Sequence, residues 1–132
     1  MIRGFEDSVN VLKRLYKCDV GRRCSTLTRN LRAVLNAEYP WVLVFIDDNR
    51  CPFCGEQLAT KRGLWLHIRR RCSEGAKAVV SDVVEKYLKA RRRIIKIDHK
   101  TYVRWSIKGT NMWYDTFEEA YAALTNRSVI FV

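Results

Sequence analysis

Histidine and proline are scarce in this 132-residue sequence, with two of each: His67 and His99, Pro40 and Pro52. So few imidazoles exclude a metal centre built from histidines alone, and leave one His to spare from any site that uses the other. Acidic residues are in deficit, 14 against 25 Lys and Arg, for a formal net charge of +11. No apolar run approaches the roughly 20 residues that a membrane-spanning helix requires. The first residues carry no apolar signal segment, so an intracellular protein is expected. Glutamine occurs once against 16 arginines, a bias in the direction of heat-adapted proteins. What remains, 48% hydrophobic and 30% charged residues, describes an ordered chain. Its length allows one domain or two very small ones, with a modest core.

The positive charge is unevenly placed. Residues 1–49 carry +2, residues 50–72 carry +5, residues 73–108 carry +6 and residues 109–132 carry −2. A basic block of this kind favours polyanions, and nucleic acid is the commonest one inside a cell.

That block begins at Cys51-Pro52-Phe53-Cys54-Gly55 and continues to His67 and Cys72, with the spacing Cys-x2-Cys-x12-His-x4-Cys. Two thiolates on a tight knuckle can face one cation, and a His and a Cys five positions apart reach back from roughly one face of a helix. Four such ligands with no open position are what a structural Zn²⁺ requires. Leu58 and Leu64 stand where so small a unit needs apolar plugs, and Leu64, His67, Ile68 and Arg71 follow a helical spacing. Residues 50–72 resemble a single zinc finger of the two-cysteine, two-histidine type, with Cys72 in place of the last His. The resemblance implies a ββα unit holding one Zn²⁺ on Cys51, Cys54, His67 and Cys72. Cys-Pro-Phe-Cys is also similar to the redox motif of glutaredoxins. That fold needs a proline downstream of the dithiol, and none follows Pro52. Saturated by three thiolates and an imidazole, the metal has no position for an activated water, so no enzyme is expected. His99, beside Asp98, has no recognisable nucleophile around it.

Cys18 and Cys24 flank a turn-like segment and are expected to be ordinary thiols in a reducing cytosol. A disulfide between them would fit an intracellular protein of a hyperthermophile. Ahead of them, Phe5, Val9, Leu12 and Tyr16 step as one helix face, with Asp7 or Ser8 as its cap. Ser25 is expected to cap a second helix carrying Leu27, Leu31, Val34 and Leu35, which ends before Pro40. Arg22, Arg23, Arg29 and Arg32 lie in the turn and along this helix. The apolar run 41–46 reads as a strand, and helix, turn, basic helix and strand are compatible with a helix-turn-helix or winged-helix arrangement. They are equally compatible with two helices covering a sheet.

Beyond the finger, Ala76, Val79, Val80, Val83, Val84, Tyr87 and Leu88 give a helix with a wide apolar face, to be covered by the chain or by a second copy in a homodimer. It ends in Arg91, Arg92 and Arg93. Cations offset the negative end of a helix dipole, but three in a row exceed that need and suit phosphates. Residues 94–97 and 101–108 read as strands. In the second, Val103, Trp105 and Ile107 share one face, and Tyr102, Arg104, Ser106 and Lys108 the other. Gly109-Thr110-Asn111 supplies a turn into a third strand from Met112, and Thr116 with Glu119 forms a capping box for a last helix. Residues 128–132 read as a final strand. A three-stranded sheet backed by a helix is similar to the arm-binding domains of integrases, in which the sheet enters the DNA major groove. The likeness would make Tyr102, Arg104, Ser106 and Lys108 groove-facing.

A finger of the resembled type reads bases near its helix start and three and six residues on. Those positions are Thr60, Gly63 and Leu66 here, and none makes a bidentate base contact. The charges nearby, Lys61, Arg62, Arg69, Arg70 and Arg71, suit phosphates. Trp65 and Leu66 would be exposed on a free-standing finger, so the finger is expected to be built into the body of the protein.

The sequence therefore predicts a small zinc-stapled α+β protein in three regions. Residues 1–49 are helical, residues 50–73 form the finger, and residues 74–132 hold a basic helix followed by a three-stranded sheet and a helix. The expected function is a duplex-DNA-binding transcriptional regulator, similar overall to the small single-finger DNA-binding proteins of viruses of hyperthermophilic archaea. The alternatives are a protein–protein adaptor that uses the 79–88 face, or an RNA-binding protein.

Overall fold

The first helix starts where a carboxylate can satisfy a free N–H. Asp7 Oδ1 accepts from the Asn10 amide at 3.2 Å and caps α1 (Ser8–Lys17). In the computed structural model, which describes residues 7–18, 24–99 and 102–125, Val9, Leu12 and Leu15 form the buried face of this helix. Cys18 closes it and is joined to Cys24 by a disulfide, with the two Cα atoms 5.9 Å apart. The pair expected as thiols is thus bonded, with a Cα separation in the usual range for a disulfide. Phe5, Arg22, Arg23 and the strand expected at 128–132 lie outside the described residues.

Ser25 accepts from the Thr28 amide at 3.1 Å and caps α2 (Thr26–Glu38), which buries Leu31, Val34 and Leu35. Leu27, assigned by spacing to the same face, stays half exposed. Arg32 reaches back from α2 to the end of α1 and donates through Nη1 to the carbonyls of Tyr16, at 3.0 Å, and of Cys18. It neutralises the negative end of that helix.

The run expected as a strand is a third helix, α3 (Pro40–Asp47), with Pro40 in its first turn and Val42, Leu43 and Ile46 buried. A proline there is pre-set for helix, and a short apolar run does not distinguish a buried helix from a buried strand. The strand required for a winged-helix arrangement is therefore absent here. Asn49 ends the helix region with φ 58°, a left-handed conformation that asparagine tolerates.

Next come the metal-ligand segment, α4 (Lys61–Arg71) and α5 (Ser73–Arg93). The chain divides into two compact units, residues 1–84 and 85–132, so the finger region shares a unit with the N-terminal helices. In that first unit α1 packs on α4 and α2, and the Tyr16 and Trp65 rings meet with centroids 6.0 Å apart. Tyr39 at the α2–α3 junction donates to Asp82 Oδ2 of α5 at 2.6 Å. Trp65 is covered as expected, whereas Leu66 stays 42% exposed.

The second unit begins within α5 and continues into β1 (Ile94–His99), β2 (Tyr102–Ile107) and α6 (Phe117–Thr125). The strands pair antiparallel, Ile94 opposite Ile107 and Ile97 opposite Arg104. Among the described residues the sheet has two strands, not three. The return segment pairs only at Tyr114, which exchanges both backbone bonds with Trp105 at 2.8 and 2.9 Å. The turn through Gly109 and Thr110 and the cap of α6 use up the residues on either side. Thr116 Oγ1 accepts from the Glu119 amide, and Glu119 Oε1 accepts from the Asp115 amide, each at 3.1 Å. Phe117 packs edge-on to Trp105 and against Tyr87 and Tyr121, which centres a small aromatic core.

Candidate metal centre and cationic cleft

The knuckle is held by its own backbone. The Cys51 amide donates to the Glu56 carbonyl at 2.9 Å, and the Gly55 amide donates to the Cys51 carbonyl at 2.8 Å. Gly55 sits at φ 85°, which closes the turn and favours a residue without a Cβ. Of the two expected finger strands there remains one bridge, Arg50 opposite Gln57. In their place side chains tie the knuckle to α3, with Gln57 Nε2 donating to the Asp48 carbonyl at 2.7 Å. Thr60 then caps α4, its Oγ1 accepting from the Gly63 amide at 3.0 Å.

On α4, Leu64 and Ile68 are fully buried, and they aim His67 at the knuckle. Cys72 is the last turn's cap, its amide donating to the Ile68 carbonyl at 2.9 Å. The Cys72 carbonyl accepts from Gly75 and Ala76, so α5 starts at once. The fourth ligand is thereby fixed between two helices. Gly75 keeps that junction tight, because a Cβ there would come within 2.7 Å of the Phe53 ring.

The ligand atoms of Cys51, Cys54, His67 and Cys72 all lie within 4.8 Å of one another. Tetrahedral Zn²⁺ with its usual bond lengths sets ligand atoms about 3.5–3.8 Å apart, so the group fits one such ion. His67 Nε2 is 3.2 Å from Cys54 Sγ and 3.8 Å from Cys72 Sγ. The other ring nitrogen, Nδ1, lies 3.7 Å from Glu56 Oε1, an outer carboxylate of the kind that orients metal-binding imidazoles. Glu56 is a site residue that spacing alone does not single out. Burial, with Cys51 beside it, pushes the Cys72 thiol up to about 12. The Glu56 backbone amide, followed by His67, lowers Cys54 to about 7. Crowded thiols oppose one another's ionisation, and a divalent cation among them reverses that balance.

The predicted phosphate-binding residues fall into distinct settings. Lys61 Nζ donates to the Ile46 carbonyl at 2.6 Å and to Asp47's at 3.1 Å, which caps α3. Arg69 pairs with Asp7 Oδ2 at 2.7 Å and donates to Asn10 Oδ1 at 2.9 Å, tying α4 to the start of α1. Arg62, Arg70 and Arg71 are exposed on α4, and Arg91, Arg92 and Arg93 are exposed at the end of α5. Arg104 lies 3.9 Å from Asp115, and Lys108 is exposed. Ser106, assigned to the same strand face, is buried. The Tyr102 side chain lies outside the described part.

One cleft in the first unit collects several of these cations. It has a volume of about 420 Å³ and runs between Lys13 and Lys17 of α1 and Arg62, Leu66 and Arg69 of α4. Lys61 and Trp65 complete its lining. Lys13 and Lys17 carry no helical signal of function in the sequence; only the packing of α1 on α4 puts them there. Trp65 is 5% exposed, and its indole N–H has no acceptor among the described residues. An orphan donor of this kind costs about 1–3 kcal/mol. No helix among the described residues is long and apolar enough to cross a membrane.

No family model, curated protein or solved structure matches this chain.

Proposed function

We propose that this protein is a zinc-containing nucleic-acid-binding protein, and more specifically an intracellular regulator of transcription that binds duplex DNA. The observation that carries the reading is the division of labour on α4. The helix supplies His67 to a closed ligand set, and Arg62, Arg70 and Arg71 along it are exposed. A metal whose four positions are taken by protein serves as a staple, not a catalyst. The exposed guanidinium groups then supply affinity for phosphates. Arg91, Arg92 and Arg93 are a separate exposed cluster of cations on the second unit.

Base discrimination does not come from the positions expected for a finger, since Thr60 is spent on capping α4 and Gly63 has no side chain. The disulfide supports the likeness to proteins of hyperthermophilic archaeal viruses, because such bonds persist inside heat-adapted cells. The adaptor reading loses ground, since Val79, Val80, Val83 and Tyr87 of the face it needs are already buried.

The test is a fluorescence-anisotropy titration of zinc-loaded protein with labelled random duplex DNA at two salt concentrations. Binding that weakens steeply at the higher salt is the expected result. No binding at low salt overturns the reading.

A further inference from the structure

We infer that the cleft between α1 and α4 holds the sugar–phosphate backbone of one DNA strand, with Lys13 and Lys17 as phosphate contacts on a second wall. This rests on the nucleic-acid reading above and assigns it a place and two further residues.

The two walls are periodic in the same sense. Lys13 and Lys17 stand one helical turn apart on α1, and Arg62 and Leu66 stand one turn apart on α4. Four residues of helix rise about 6 Å, and one DNA strand carries a charge about every 3.4 Å along the axis, so the Lys13–Lys17 pair spans about two phosphates, with Arg62 as the cation across the cleft. Like charges at this spacing weaken an isolated helix, and Lys13, Lys17 and Arg62 make no ion pair among the described residues. Among the described residues, the cleft thus keeps three cations without an ion-pair partner on facing walls. Its other two cations are engaged, Lys61 on the α3 carbonyls and Arg69 in an ion pair with Asp7 that offsets its charge.

Shape narrows the ligand. About 420 Å³ is too small for a double helix and suits a short run of backbone entering from one side. A concave site with most of its charge on the walls also fits a strand better than a flat anionic membrane.

The experiment compares full-length, zinc-loaded wild type with Lys13→Gln/Lys17→Gln by anisotropy on a labelled random duplex across a salt series. Neither lysine is buried, and equal melting temperatures confirm that the variant folds. The expected result is weaker binding with the salt slope shallower by about two units, one for each lost contact, and an equal loss on duplexes of different sequence. Wild-type affinity and slope in the variant overturn the cleft assignment and leave the DNA reading standing. Absence of binding by the wild type overturns both. A variant that loses binding to vesicles of anionic lipid while its DNA binding is unchanged reassigns the cleft to a membrane surface and also overturns it.

Discussion

The Lys61 ammonium stands on the open end of α3, 2.6 Å from the Ile46 carbonyl oxygen, with the Tyr16 ring 5.5 Å away on another side. A residue whose position in a basic helix points to phosphate contact therefore has a folding role. It links α4 to α3 and α1 at the point where the chain enters the metal-ligand segment.

Lys61→Met should lower stability by about 1–2 kcal/mol, because it removes a charge-assisted bond and the cation at a helix C-terminus while keeping most of the stem. Urea unfolding measures this. DNA affinity should fall less than in Arg62→Ala, whose side chain is exposed and has no such bond. The reverse order of the two variants would return Lys61 to the phosphate-contacting set.

Cys72→Ser should release the metal, and with it loosen the α4–α5 junction that the bound thiolate pins, since serine keeps only the backbone bonds made at residue 72. Structural zinc contributes on the order of 10–16 kcal/mol in small finger peptides, more than a chain of this size has to spare. Zinc content and circular dichroism of Cys72→Ser and Cys51→Ser check the point. A folded, metal-free variant would sink the zinc assignment. Unreduced unfolded protein should also show only the thiols of Cys51, Cys54 and Cys72, with Cys18 and Cys24 appearing after reduction.

What was legible in the sequence is what short range controls. The knuckle, the caps at Asp7, Ser25 and Thr116, and the ligand spacing depend on neighbours a few residues away. The apolar run 41–46 was not legible, because its composition fits a buried helix as well as a strand and Pro40 decides the matter. The third strand failed for a related reason. Alternation favoured it, yet the turn and the helix cap leave only Tyr114 free to pair. Tertiary partners are the largest gap. Nothing local says that Arg69 will meet Asp7, or that Lys13 and Lys17 will face Arg62.

Stability should fall in alkali through two tyrosines. The Tyr39 hydroxyl donates to Asp82, and that bond, with burial added, raises its pKa to about 12. Burial first, and then the bond to Asp47 Oδ1, does the same for Tyr16. A phenol ordinarily titrates near 10. Its folded pKa is raised, so the folded state favours the neutral form. The contribution is full below about pH 10 and is lost as pH climbs from about 10 to about 12. Urea midpoints at about pH 9 and about pH 11 should separate for the wild type more than for Tyr16→Phe/Tyr39→Phe. Equal separations would remove the two hydroxyls from the explanation.

Arg91, Arg92 and Arg93 offer the clearest division between a helix-capping role and a phosphate-binding one. All three are exposed at the end of α5, where cations offset the helix dipole by about 0.3–1 kcal/mol each. If capping were their whole role, replacing them with Ala would shift only the unfolding midpoint. If they also contact phosphates, the slope of log affinity against log salt should become shallower by up to about 2.7 units, three contacts at about 0.9 each, with sequence preference unchanged. The triple-Ala variant titrated across a salt series decides between the two, because the salt slope counts contacts whatever the fold has lost in stability. An unchanged slope removes this cluster from the DNA footprint.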